Sequence, residues 1–142
     1  MQVLYTASAL ATGDGRDGHV RTADGTVDLD LAIPKEMGGT GRAANPEQLF
    51  AAGYAACFHS ALRLVARRAR ADVTGSVVEA EVGIGPHGAG FGLTVALLVD
   101  LPAVERSAAQ QLVEAAHQVC PYSNATRGNI EVALTVRAAA SA

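Results

Sequence analysis

The sequence predicts an α+β fold, with antiparallel sheets packed on a long buried central helix and a second helix. Three observations carry this expectation. Several segments alternate apolar and polar residues with period two, the mark of half-buried strands. Two longer segments carry helix start and stop signals. Their order is strands, helix, hairpin, helix, strand, which suits helices laid on antiparallel sheet. The 142 residues hold no repeat, low-complexity linker or shift in composition, so a single domain over 1–142 is expected.

The elements follow in chain order. Val3 to Ala11 and His19 to Thr22 read as an opening pair of strands around Asp14-Gly15. Val27, Leu29, Leu31 and Ile33 then alternate with Asp28, Asp30 and Ala32. The first helix starts at Asn45-Pro46-Glu47-Gln48. Asn45 is a good N-cap, Pro46 suits the first helical position, and Gln48 completes a capping-box pattern. From Leu49 to Phe58 nearly every residue is apolar or small, which predicts burial on all sides. From Leu62 to Ala71 the helix turns amphipathic, with Arg63, Arg67, Arg68 and Arg70 towards water. A short chain has little material to surround such a helix, so an intertwined dimer is expected.

Val78, Ala80, Val82 and Ile84 form the next alternating run, and Phe91, Leu93, Val95, Leu97 and Val99 its hairpin partner. Gly85-Pro86-His87-Gly88-Ala89-Gly90 reads as the loop between them. A second helix is expected from about Ala103 to Val119, with Val104, Ala108, Leu112 and Ala116 on one side and Pro121 helping to stop it. Ile130, Val132, Leu134 and Val136 make a last strand.

Composition narrows the function classes. The residues are 49% apolar, enough for a sizeable core, and the net charge of −3 gives no general attraction to nucleic acid or anionic membrane. The N-terminal residues do not resemble a signal peptide, and no run of about 18 uncharged apolar residues is present. A cytoplasmic location is the default expectation. Cytosolic thiols are normally reduced, so a structural disulfide is the lesser use for the two cysteines.

Cys57 lies in the apolar half of the first helix, and Cys120 at the end of the second, before Pro121. Each reads as a small core residue or as half of a reversible redox pair; nothing in their spacing says that they meet. In the second reading a thiolate reacts with a peroxide to give sulfenic acid, and the other thiol condenses with it. A buried thiol needs a nearby cation to be reactive. Arg16, in the glycine-flanked segment Gly13-Asp14-Gly15-Arg16-Asp17-Gly18, is a candidate cation or a solvated turn arginine. Glu47 either orients that guanidinium through a bidentate pair or simply favours the helix N-terminus. His19, His59, His87 and His117 show no ligand spacing, so no metal is expected. Gly38-Gly39-Thr40-Gly41 lacks the ending of a phosphate loop.

Two long segments carry a resemblance: Asn45 to Phe58, reading NPEQLFAAGYAACF, and Val119 to Asn129, reading VCPYSNATRGN. With Gly15-Arg16-Asp17-Gly18, they resemble the organic hydroperoxide resistance proteins, in a superfamily shared with the osmotically inducible protein C group. The resemblance implies an intertwined homodimer with two sites at its interface. It implies a peroxidatic Cys57, a resolving Cys120, an Arg16 that activates the thiolate and a Glu47 that holds Arg16. Alkyl and lipid hydroperoxides are the implied substrates and a dihydrolipoyl-bearing protein the implied electron donor, with no metal or flavin cofactor. Phe50, Tyr54 and Phe58, within two turns of Cys57, are the candidate apolar substrate contacts. Two rivals stand beside this reading. One is an osmotically-inducible-type peroxidase with broader substrates. The other is a non-catalytic redox-sensing or hydrophobic ligand-binding module.

Helix geometry adds one expectation. Glu47 and Cys57 are ten positions apart on one helix. At about 1.5 Å and 100° per residue, they stand roughly 15 Å apart along the axis and 80° around it. A site holding both sulfur and guanidinium is therefore expected to take Cys57 and Cys120 from one subunit and Arg16 with Glu47 from the other.

Overall fold

The computed structural model describes residues 1–139. They form two compact units, Met1–Leu49 and a second that begins at Phe50.

The first unit is built on a three-stranded antiparallel sheet of β1 (Ala9–Thr12), β2 (His19–Thr22) and β3 (Asp28–Asp30). The strands are shorter than the alternation suggested, and Val3 to Ser8 is not strand. A 3-10 turn, Gly15–Asp17, joins β1 to β2 and carries Arg16. Gly18 closes it where no side chain fits: a Cβ there would lie 2.1 Å from the Thr12 carbonyl oxygen. Asp17 ties the turn to the following segment by accepting the Ile33 N–H at 2.9 Å. Ala32 and Asn45 are the unit's only buried residues, while Val3, Leu4, Tyr5, Leu10, Val27 and Met37 are exposed. The sheet therefore has almost no apolar core within its own unit.

Helix α1 spans Pro46–Ala69. The capping box forms as its sequence indicates: the Asn45 side-chain oxygen accepts the Gln48 N–H at 2.9 Å, and the Gln48 side chain accepts the Asn45 N–H at 3.1 Å. With 24 residues and an 18-residue stretch of mean hydropathy 1.4, α1 is long and apolar enough to cross a membrane by length and composition. Its Tyr54, Phe58, Ala61, Leu62, Val65 and Ala66 belong instead to the core cluster of the second unit. Burial on all sides is not what this chain achieves: Ala52, Ala56, Ser60 and Arg63 form an exposed stripe. One sheet can cover only one side of a helix.

The second unit has a three-stranded sheet in the order β4-β5-β6. Strands β4 (Val77–His87) and β5 (Gly90–Glu105) make a long antiparallel hairpin, with Val82 opposite Val95. Gly85 and Pro86 stay in the strand, so the loop is only Gly88-Ala89. Strand β6 (Val132–Ala139) pairs with β5 in parallel, Val95 opposite Val132, which corrects the expectation of wholly antiparallel sheets. Alternation reports which face a residue occupies, not strand direction, and the direction is set here by the intervening helices. Helix α2 covers Arg106–Val119 and starts three residues later than expected. Val104 remains in β5, and the Glu105 carboxylate caps the helix by accepting the Ser107 N–H at 3.0 Å. Its buried face is Ala109, Leu112, Val113 and Ala116 rather than Ala108. A short helix, α3 (Pro121–Thr126), was not anticipated. The core joins α1 to Val95, Leu97, Val99 and Leu101 of β5 and to the α2 face.

Candidate active site

The residues singled out in the sequence fall into two groups, one in each unit. In the first unit Arg16 and Glu47 form a bidentate pair. Arg16 Nη1 donates to Glu47 Oε2 at 2.8 Å and Nη2 to Oε1 at 2.8 Å. The glycine-flanked turn and the first turn of α1 supply the two partners. The Arg16 hydrogen bonds hold the Glu47 carboxyl below the usual carboxylate range, and the carboxylate in turn raises the guanidinium. The pair is a fixed, fully ionised fork at neutral pH.

In the second unit the two cysteines meet. Cys57 is half-buried on α1, and Cys120 is fully buried at the joint where α2 ends and α3 begins. Both are free thiols, with Cys120 Sγ donating to Cys57 Sγ at 3.6 Å. Proline at the start of α3 breaks the helical run after Cys120, so the chain turns at the thiol itself. Burial pushes the Cys57 thiol up; the backbone N–H of Tyr122 works against this, and the neighbouring Cys120 adds to the rise. With these neighbours alone Cys57 is held as a protonated thiol at neutral pH.

Cys57 opens on a cleft of about 560 Å³ whose walls include Leu64, Val119, Pro121 and the arginines Arg63 and Arg67. One turn back along α1 the aromatic side chains gather. Phe50 lies 6.2 Å from Tyr54 and 6.1 Å from Tyr122, and Tyr54 lies 5.6 Å from Tyr122 in an edge-on arrangement. Gly53 lets α3 approach: a Cβ on it would stand 2.8 Å from the Tyr122 hydroxyl. Phe50 is half-buried, whereas Tyr54 and Phe58 are fully buried in the core. Among the described residues no group of three or more His, Cys, Asp or Glu side chains is arranged to hold a metal.

Sequence reasoning gave no role to Tyr122, Ser123 or His117, although it weighed His117 as a metal ligand and the other two lie in the Val119–Asn129 segment. Ser123 Oγ sits 2.8 Å from the Tyr54 hydroxyl and 2.8 Å from His117 Nδ1. No periodicity or ligand spacing marks these residues. Besides that segment, the local signal was Pro121, which suits a first helical position as well as a helix stop.

Comparison with known proteins gives a consistent result. The family model for OsmC-like proteins matches residues 39–135. A Xanthomonas axonopodis pv. citri protein named organic hydroperoxide resistance protein is 51% identical over 137 residues, covering 95% of this chain and 96% of that protein. The crystal structure of an organic hydroperoxide resistance protein from Legionella pneumophila superposes with a TM-score of 0.92 at 50% identity, covering 96% of this chain and 99% of the other. That of an organic hydroperoxide resistance protein from Elizabethkingia anophelis, with thiocyanate bound, gives a TM-score of 0.92 at 54% identity, covering 97% and 99%.

Proposed function

The chain belongs to the OsmC-like family, among its organic hydroperoxide resistance proteins, and on that premise we propose that it is a cysteine-based peroxidase that reduces organic hydroperoxides to alcohols. The observation that carries the reading is the 3.6 Å approach of Cys57 and Cys120, which are 63 positions apart in the sequence. Cys57 is the peroxidatic residue, being the more accessible of the two. Its thiolate attacks the terminal oxygen of ROOH, the O–O bond breaks, and the alkoxide leaves and takes a proton to become ROH. The resulting sulfenic acid then meets the Cys120 thiol; an S–S bond forms and water leaves. A dithiol, such as a dihydrolipoyl group on a protein, returns two electrons and two protons to restore the thiols. No metal or organic cofactor enters these steps.

Arg16 supplies the missing cation, and Glu47 fixes it through the bidentate pair. The helix separation of Glu47 and Cys57 supports a site shared between two subunits of an intertwined homodimer. The exposed Ala52, Ala56 and Ser60 stripe of α1 supports a partner on that face, and so does the near absence of apolar core in the first unit. Each dimer then holds two such sites. We take residues 1–142 as one domain, because the matched family segment runs across the boundary between the units. The peroxidase works in the cytoplasm, where thiols are kept reduced. Phe50 forms the apolar wall for the alkyl group, with Tyr54 and Phe58 as the packed layer behind it.

Intact mass after one equivalent of tert-butyl hydroperoxide tests the reading. The wild-type protein should lose two hydrogens as the disulfide forms. Cys57→Ser should remain unmodified, and Cys120→Ser should gain one oxygen, with a second added as sulfinic acid only when further equivalents follow. An unmodified Cys120→Ser protein would show that the roles are assigned wrongly.

A further inference from the structure

Behind the thiol pair lie three hydroxyls and an imidazole that no step above employs. The Tyr54 and Ser123 side chains are fully buried, and Thr126 is 3% exposed. The Tyr54 hydroxyl lies 2.8 Å from Ser123 Oγ and 3.2 Å from Thr126 Oγ1, and Ser123 Oγ lies 2.8 Å from His117 Nδ1. Thr126 Oγ1 donates to the Ser123 carbonyl at 3.1 Å, and Arg127 Nη2 donates to the His117 carbonyl at 2.7 Å. Among the described residues, no buried side-chain nitrogen or oxygen lacks a partner.

Each hydroxyl has one proton to give, and that of Thr126 is committed to Ser123 O. The rest closes in two directions. Either Tyr54 donates to Ser123 and Ser123 to His117, or His117 donates to Ser123, Ser123 to Tyr54 and Tyr54 to Thr126. Burial, with the Arg127 charge behind it, pushes the His117 imidazolium down, so the ring is neutral and either tautomer serves. In both directions Ser123 Oγ is the shared atom.

The placement of this network follows the placement of the thiols. Tyr54 stands three residues before Cys57 on α1, His117 three residues before Cys120 on α2, and Ser123 three residues after Cys120 on α3. Three residues are roughly one helical turn, so Tyr54 sits on about the same face of α1 as Cys57, while His117 and Ser123 flank the non-helical Cys120 from the end of α2 and the start of α3. The network therefore joins the three helical segments that carry or flank both sulfurs, one turn away from them. Ser123 also adjoins Tyr122, whose backbone N–H favours the Cys57 thiolate.

We propose that Ser123, bridged between the Tyr54 hydroxyl and the His117 imidazole, is a positioning residue for the thiol pair. It locks the α2–α3 joint so that the Cys120 thiol stays within reach of Cys57. The idea rests on the functional reading above, because a resolving thiol is useful only where Cys57 is oxidised. Disulfide closure must bring sulfurs 3.6 Å apart to about 2.05 Å. A joint free to swing would let the sulfenic acid wait and be oxidised further.

The test separates positioning from peroxide chemistry. Reduced wild-type, Ser123→Ala, His117→Leu and His117→Asn proteins are equilibrated with oxidised and reduced dithiothreitol, then quenched and alkylated. Mass gives the fraction with the Cys57–Cys120 disulfide, and hence the effective concentration of one thiol at the other. Each closure moves two electrons and two protons from the protein thiols to the dithiothreitol disulfide. Ser123→Ala and His117→Leu should lower the effective concentration by about tenfold or more, as expected when a preset geometry is released. Asn at 117 keeps a hydrogen-bonding atom near the place of Nδ1 and should restore most of it. Val99→Ala, a core truncation in β5, should leave the value unchanged while lowering stability. Wild-type values in both Ser123→Ala and His117→Leu would overturn the proposal, as would an equal fall in Val99→Ala. A wild-type protein that closes with dithiothreitol but ignores tert-butyl hydroperoxide would sink the peroxidase reading and leave the positioning role standing.

Discussion

Replacing Glu47 by Gln is the sharpest probe of the Arg16 fork. The amide has nearly the shape of a protonated carboxylic acid, but it lacks the charge and offers one acceptor where the carboxylate offers two. In the wild-type protein two N–H···O⁻ bonds of 2.8 Å each join the pair. Hydrogen bonds to charged groups contribute about 1.5–3 kcal/mol each, and Gln retains roughly one, from the cationic guanidinium to a neutral acceptor. The Glu47 side chain is 12% exposed but that of Arg16 is 36% exposed, so water screens part of the gain. The variant should therefore be less stable by about 1–2 kcal/mol at pH 7. The pH dependence fixes the cause. Arg16 lowers the folded-state pKa of Glu47 from its ordinary 4.5, so this stabilisation is fully present above that value. It is lost as the pH falls through the lower, folded value. Urea unfolding of both proteins followed by circular dichroism between pH 7 and pH 3 should show the wild-type curve descending towards that of Glu47→Gln. A difference that stays constant down to pH 3, or none at pH 7, would refute the ion-pair argument.

Further outcomes are expected. On the shared-site proposal, mixing Arg16→Ala with Cys57→Ser under subunit exchange should restore activity, each mixed dimer then holding one intact site; confirmed exchange without activity would place the site within one subunit. Long-chain hydroperoxides should outrun hydrogen peroxide, since each buried CH₂ contributes at most about 0.8 kcal/mol, or about fourfold in rate. Equal stopped-flow rates for the two would remove the apolar-wall argument. Gly18→Ala should displace the Arg16 turn, because its Cβ would lie 2.1 Å from a backbone oxygen. A loss of about 2–3 kcal/mol is expected, read as a fall in melting temperature together with activity near that of Arg16→Ala.

Different parts of the structure were legible to different degrees. Local signals were reliable: the Asn45–Gln48 capping box forms as written, and the alternation at Val78–Ile84 and Phe91–Val99 lies on paired strands. Direction was not legible, because β6 alternates identically whether it lies parallel or antiparallel to β5. Helix α3 was hidden because its six residues are too few to show a period and begin with a proline that also reads as a stop. Val3 to Ala7 have the composition of a strand but pair with no strand among the described residues, and Ser8 only accepts the Ala23 N–H at 3.0 Å. The meeting of Cys57 with Cys120 across 63 positions is a product of tertiary packing and leaves no trace in spacing. The resemblance, carried by two long segments, brought them together where periodicity did not.

The parallel seating of β6 has a consequence for how the second unit assembles. The β4–β5 hairpin closes around Gly88-Ala89, so its first pairs, such as His87 with Gly90, are neighbours in sequence and zip at little entropic cost. Pairing Val95 with Val132 must instead enclose α2 and α3, and the loop to be closed is more than ten times longer. Non-local contacts of this kind set the pace of folding. The hairpin should therefore be an early event and the docking of β6 a late one. Cys120, lying in the enclosed crossover, would be delivered to Cys57 only as that slow step completes. Refolding followed by hydrogen exchange and by alkylation of the thiols would then show protection of the hairpin amides before protection of Cys120.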